Sequence, residues 1–140
     1  MSIKFHPLLQ KKVRKFPLVL VVDDNQDNLI LAGATLDLMG IKPLIVRDGN
    51  TAIDIAIDRL PDLILLDIVM PDIDGITISR MLKKHPRTNH IPIVAVTGLT
   101  CEHHKEEIRG AGCDDYICKP YLIEDFESMV ASFLKPNATA

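Results

Sequence analysis

Five residues able to do chemistry stand where an apolar run stops. Leu18–Val22 is followed by Asp23 and Asp24, Leu63–Leu66 by Asp67, residues 93–96 by Thr97, and residues 116–118 by Lys119 and Pro120. Three carboxylates gathered in one place repel one another and hold their protons more tightly. A hard cation relieves that repulsion. An open site of oxygen ligands suits Mg²⁺, which keeps several waters and accepts phosphate oxygens. A carboxylate is also a nucleophile that can take a phosphoryl group as an acyl phosphate. Such transfer needs in-line placement and neutralisation of the equatorial oxygens. Mg²⁺, the Lys119 ammonium and the Thr97 hydroxyl could each take one oxygen. On this reading Asp23 and Asp24 are an acid pair for metal, and Asp67 is the nucleophile.

The elements that must position these groups follow from the apolar pattern. The five runs, 18–22, 44–46, 63–66, 93–96 and 116–118, are continuous rather than alternating, so each is expected to be a strand buried on both faces of a parallel sheet. Helical stripes lie between them. Leu29, Ala32, Leu36 and Met39 form the first, stopped by Gly40; Ile53, Ala56, Ile57 and Leu60 form the second, ended by Pro61. Ile78, Met81 and Leu82 mark a third before Pro86, and Leu122, Phe126, Met129, Val130, Phe133 and Leu134 mark the last. The fourth, residues 100–111, is mostly polar, with Ile108 as its main anchor. Regular strand–helix alternation implies an α/β fold with right-handed crossovers and helices on both faces. Ligands gather at the carboxyl ends of such strands. Four of the five ends carry the groups above, and the second, Arg47-Asp48-Gly49, reads as an ordinary turn.

Composition sets the class. The chain has 140 residues, 47% hydrophobic and 25% charged, with a net charge of −3. This is a globular balance with no electrostatic footprint for nucleic acid. No apolar run approaches a bilayer span and no signal peptide is visible, so a cytoplasmic protein is expected. Cys101, Cys113 and Cys118 are odd in number and lack a CxxC spacing. They read as reduced thiols, with Cys118 a buried strand thiol.

With those residues in place, the chain resembles the receiver domain of two-component response regulators, of the single-domain type found in chemotaxis regulators. The resemblance is carried by Val21-Val22-Asp23-Asp24-Asn25, by Leu66-Asp67-Ile68-Val69-Met70-Pro71-Asp72-Ile73-Asp74-Gly75, by Val96-Thr97-Gly98 and by Tyr116-Ile117-Cys118-Lys119-Pro120. It covers residues 17–135, between a basic extension (1–16) and a short tail (136–140). It implies a doubly wound, flavodoxin-like, five-stranded parallel sheet in the order 2-1-3-4-5 with five helices. It implies Asp67 as phosphoacceptor, and Mg²⁺ bound directly by Asp24, Asp67 and the Val69 backbone carbonyl, with Asp23 acting through water. Thr97 and Lys119 would hold phosphoryl oxygens, Tyr116 would be the aromatic switch, and the Lys119–Pro120 bond would be cis. The implied donor is a phosphohistidine on a histidine kinase or phosphotransfer protein, or a small phosphodonor. The implied readout is a downstream target protein met by a monomer or weak homodimer, because only Lys135 to Ala140 follow the core.

Other readings compete with these. The Asp23-Asp24-Asn25-x-x-Asn28 start also resembles receivers attached to hybrid kinases, which keeps a phosphorelay shuttle in view. An aspartate-nucleophile phosphohydrolase is the rival class, but it wants a second acid where Val69 stands. Apolar Val69 and Leu99 imply slow loss of the phosphoryl group. In Asp72-Ile73-Asp74-Gly75, Asp74 reads as a helix cap, and His103-His104 as a solvated surface. Residues 1–16 carry Lys4, Lys11, Lys12, Arg14 and Lys15 with no acid. They are read as a terminal extension, with an amphipathic docking arm as the alternative.

Overall fold

A computed structural model describes residues 16–98 and 101–134. Leu99 and nearly all of the basic extension lie outside the described residues. The chain alternates β1 (Leu18–Val22), α1 (Gln26–Leu38), β2 (Lys42–Val46), α2 (Gly49–Arg59), β3 (Leu63–Leu66), α3 (Gly75–Lys84), β4 (Ile93–Thr97), a 3₁₀ turn (Cys101–His104), α4 (Lys105–Gly110), β5 (Asp115–Cys118) and α5 (Ile123–Leu134). The five strands are all parallel, in the order β2-β1-β3-β4-β5. This is the expected α/β fold.

Side-chain parity along the strands divides the core into two layers. Leu20, Val22, Ile64, Leu66, Ile93 and Ala95 face Ala52, Ile53 and Ala56 of α2, Ile78 and Leu82 of α3, and Ile108 of α4. Val19, Val21, Leu63, Leu65, Val94 and Val96 face Leu29, Ala32 and Leu36 of α1 and Phe126 and Val130 of α5. A continuous apolar run is therefore what a strand between two helical layers requires.

The edges differ from the expectation. In β2, Lys42 and Ile45 are exposed, and in β5 no residue is fully buried. An edge strand lacks a neighbour on one side, so its side chains keep partial access to water. Met81 and Leu122 also leave the expected stripes and face solvent. Leu122 precedes α5 rather than lying within it. Ile108 anchors the short α4 as expected and is buried.

Helix starts are capped by side chains of the connecting loops. Asn25, Asp48 and Asp74 accept from the backbone N–H of Asn28, Thr51 and Thr77 at 2.9, 3.0 and 2.8 Å. Such caps satisfy donors with no intrahelical partner. The Asp74 cap agrees with the sequence reading.

Candidate functional site

Hydrogen-bond ladders run one residue past the strand ends, and this delivers the polar groups in register. Asp23 N–H donates to the Val46 carbonyl at 3.1 Å, Asp67 N–H to that of Val22 at 2.9 Å, and Lys119 N–H to that of Thr97 at 2.6 Å. Because the strands are parallel, these residues share the carboxyl edge of the sheet. Asp23, Asp24 and Asp67 meet there, each offering a carboxylate oxygen within 4.8 Å of the other two.

Asp23 is the organising acid. It is 5% exposed, and its Oδ1 accepts from Asn25 N–H at 2.9 Å. Its Oδ2 accepts from Asn28 Nδ2 and from Lys119 Nζ, both at 3.2 Å. The Lys119–Pro120 peptide is cis, as expected. Asp24 is exposed, leaving its carboxylate open to a ligand.

Asp67 is 7% exposed, and its Oδ1 accepts from Val69 N–H at 3.3 Å. Its carboxyl is raised from 3.8 to about 6, first by burial and then by the charge of Asp23. Lys119 and the Val69 N–H pull the other way. The repulsion expected of converging carboxylates is thus present at Asp67. Hard oxygen donors, one of them solvent-facing, fit the coordination habits of Mg²⁺.

Thr97 is buried at the end of β4, and Tyr116 is half-buried against the α2–α3–α4 layer rather than in the acid cluster. Val69 is 70% exposed.

Neighbours of the site that the sequence did not single out come from tertiary placement. Arg47, assigned to an ordinary turn, donates from Nη2 to the Asp24 carbonyl at 3.3 Å. The strand-end rule that selected the acids applies equally to this residue. Asp72 reaches back to α2, where its Oδ2 accepts from Gly49 N–H at 2.9 Å and Asn50 N–H at 3.2 Å. Partial desolvation pushes its carboxyl up, but the N–H groups of Ile73, Asn50 and Gly49 hold it below its ordinary value. Tyr121 stacks on Phe126 at 5.1 Å beside the Asp23–Lys119 pair. No local pattern signals the Asp72 cap or the Tyr121 stack.

The thiols depart most from expectation. Cys101 and Cys118 form a disulfide, and only Cys113 is free among the described residues. Parallel pairing sets Thr97 beside Cys118, which brings the turn after β4 over the end of β5. The two Cα atoms stand 5.8 Å apart, within disulfide reach. Cys118 is accordingly a half-buried, bonded residue rather than a buried thiol.

Comparison with known proteins places this geometry. Residues 19–131 match the model of the response regulator receiver domain. A polar-differentiation response regulator, DivK, of Brucella anthropi is 35% identical over 116 residues, covering 83% of this chain and 94% of the relative. A response regulator structure from Chloroflexus aurantiacus superposes with a TM-score of 0.82 at 28% identity, over 86% of this chain and 98% of that one. The receiver domain of a sensor histidine kinase from Pseudomonas aeruginosa gives a TM-score of 0.79 at 27% identity, over 85% of this chain and 98% of that one. That structure holds a magnesium ion in its active-site cleft.

Proposed function

The chain belongs to the response regulator receiver family of two-component signalling, and from that premise we propose that Asp67 accepts a phosphoryl group from a phosphohistidine of a kinase or phosphotransfer protein. The carrying observation is the convergence of Asp23, Asp24 and Asp67 with Lys119 bonded to Asp23. Asp67 presents a nucleophilic carboxylate at the sheet edge. Its approach to an anionic donor needs positive charge, which Lys119 supplies from within the cluster. The Lys119 ammonium and the Thr97 hydroxyl are assigned to two phosphoryl oxygens. Mg²⁺, held by Asp24, Asp67 and the Val69 carbonyl with Asp23 through water, would supply further charge neutralisation when bound.

Transfer is then read out as a conformational bias. New bonds from the phosphoryl oxygens to Thr97 and Lys119 favour one arrangement of the α4–β5–α5 surface, with Tyr116 following Thr97. A downstream protein that binds this surface differently in the two states completes the signal. Tyr116 is half-buried and α4 is only six residues long, which suits a movable element. The domain is a signalling switch, not an enzyme of external substrates. Val69 stands where a phosphohydrolase would carry its second acid.

Acetyl phosphate with Mg²⁺ followed by intact mass measurement is the direct test. The expected gain is one phosphoryl group, absent in Asp67→Asn; a folded wild type that stays unmodified overturns the proposal. The acyl phosphate is also expected to be slow to hydrolyse. Val69 is apolar and 70% exposed, so it supplies no polar group to orient an attacking water. Phosphate release over minutes or longer is expected after donor removal, and complete release within seconds contradicts it.

A further inference from the structure

The Cys101–Cys118 bond lies beside both residues assigned to phosphoryl oxygens. Cys118 directly precedes Lys119, and Cys101 follows Thr97 by four positions. Thr97 and Cys118 are paired across β4 and β5, and Lys119 N–H donates to the Thr97 carbonyl. Strand pairing therefore ties Thr97, and the disulfide ties the start of the 3₁₀ turn, to the end of β5. Any shift of Thr97 toward a phosphoryl group on Asp67 must carry the end of β5 with it while the bond is closed.

We propose that the Cys101–Cys118 pair is a redox-reversible clasp on the acceptor site, whose closed form lowers phosphoryl occupancy of Asp67 and whose reduction by a dithiol raises it. The inference rests on Asp67 being the acceptor. Three observations support reversibility over a purely structural bond. Cys118 is only half-buried, on an edge strand, whereas Cys101 is 6% exposed. An incoming thiolate therefore meets Cys118 first. The stretch that the bond holds is lightly anchored, because among the described residues of the 3₁₀ turn and α4 only Cys101 and Ile108 are buried. The remaining thiol, Cys113, is buried, and its Sγ lies 3.5 Å from the Ser79 hydroxyl. It is therefore shielded from exchange with the pair.

The chemistry balances as thiol–disulfide exchange. One thiolate of the dithiol attacks Cys118 Sγ and expels the Cys101 thiolate. The second thiolate of the reductant then attacks its own sulfur in the mixed disulfide and releases Cys118. Two electrons pass to the pair, the reductant leaves as its disulfide, and its two protons end on Cys101 and Cys118.

The test uses the full chain after air oxidation. Maleimide labelling in denaturant is expected to add one label without reductant and three after dithiothreitol. At subsaturating acetyl phosphate with Mg²⁺, the reduced protein is expected to show about fivefold higher phosphoryl occupancy than the oxidised one. Cys118→Ser, and independently Cys101→Ser, should match the reduced wild type under both conditions. Three labels without reductant, or equal occupancy in the two redox states, overturns the clasp alone. No phosphoryl gain in either state overturns the assignment of Asp67 and the clasp with it.

Discussion

In Mg²⁺-free buffer Asp67→Asn is expected to unfold at higher denaturant than the wild type at neutral pH, and to lose that advantage on acidification. Asp67 is raised from 3.8 to about 6 in the fold, by burial and then by Asp23. A carboxyl whose folded value lies above its unfolded value binds more protons in the native state between the two. Stability therefore falls as pH rises through that window. Below about pH 4 both states are protonated and the group contributes nothing. Above about pH 6 the native protein carries the full penalty of about 3 kcal/mol. The asparagine keeps an acceptor for Val69 N–H but carries no charge, so it escapes the penalty throughout. Mg²⁺ should narrow the gap by binding the native wild type, since a ligand of the folded state alone stabilises it. Urea unfolding of both proteins across this range, with and without Mg²⁺, measures the effect. A gap that is absent at neutral pH, or that widens toward acid, contradicts the repulsion account.

How much of this was legible in the sequence depended on whether the signal was local. Asp23, Asp24, Asp67, Thr97 and Lys119 could be found because a parallel sheet converts strand ends into spatial neighbours. Knowing where each run stops was enough. The two-layer core was legible for the same reason, since β1, β3 and β4 are buried on both faces. Exposure of β2 and β5 was not, because an apolar run looks alike at the centre and at the edge of a sheet. Met81 follows the helical spacing of α3 yet faces solvent, because spacing does not say how wide a stripe the sheet covers. The Cys101–Cys118 bond and the Asp72 cap on α2 join separate elements, at sequence separations of 17 and 23. Neither leaves a local pattern, and the odd third cysteine pointed away from pairing.

Gly75→Ala is expected to destabilise the protein by about 3 kcal/mol and to slow phosphoryl uptake at Asp67. The fragment Asp72-Ile73-Asp74-Gly75 caps α3, but its glycine answers a different demand. A Cβ on Gly75 would run into the Asp67 carbonyl oxygen and come within 2.8 Å of Ile68 Cα. Both obstacles are backbone, so no side chain can swing aside. Gly75 N–H also donates to the Ile68 carbonyl at 2.8 Å, which ties the start of α3 to the peptide that leaves the acceptor. Relief of the clash must move either α3 or the Asp67–Val69 segment. The first opens the packing of Ile76 and Ile78, and the second displaces the carboxylate and the Val69 carbonyl. Gly110 provides the contrast. It ends α4 with nothing within 4 Å of an added Cβ, so Gly110→Ala is expected to be neutral or to stabilise by about 0.5 kcal/mol. Denaturant unfolding of the two variants, paired with rates of acetyl phosphate labelling, separates these outcomes. If Gly75→Ala proves as benign as Gly110→Ala, close packing of α3 does not hold the acceptor in place. If it lowers stability but leaves the labelling rate unchanged, the strain is absorbed by α3 and the Asp67–Val69 segment stays fixed.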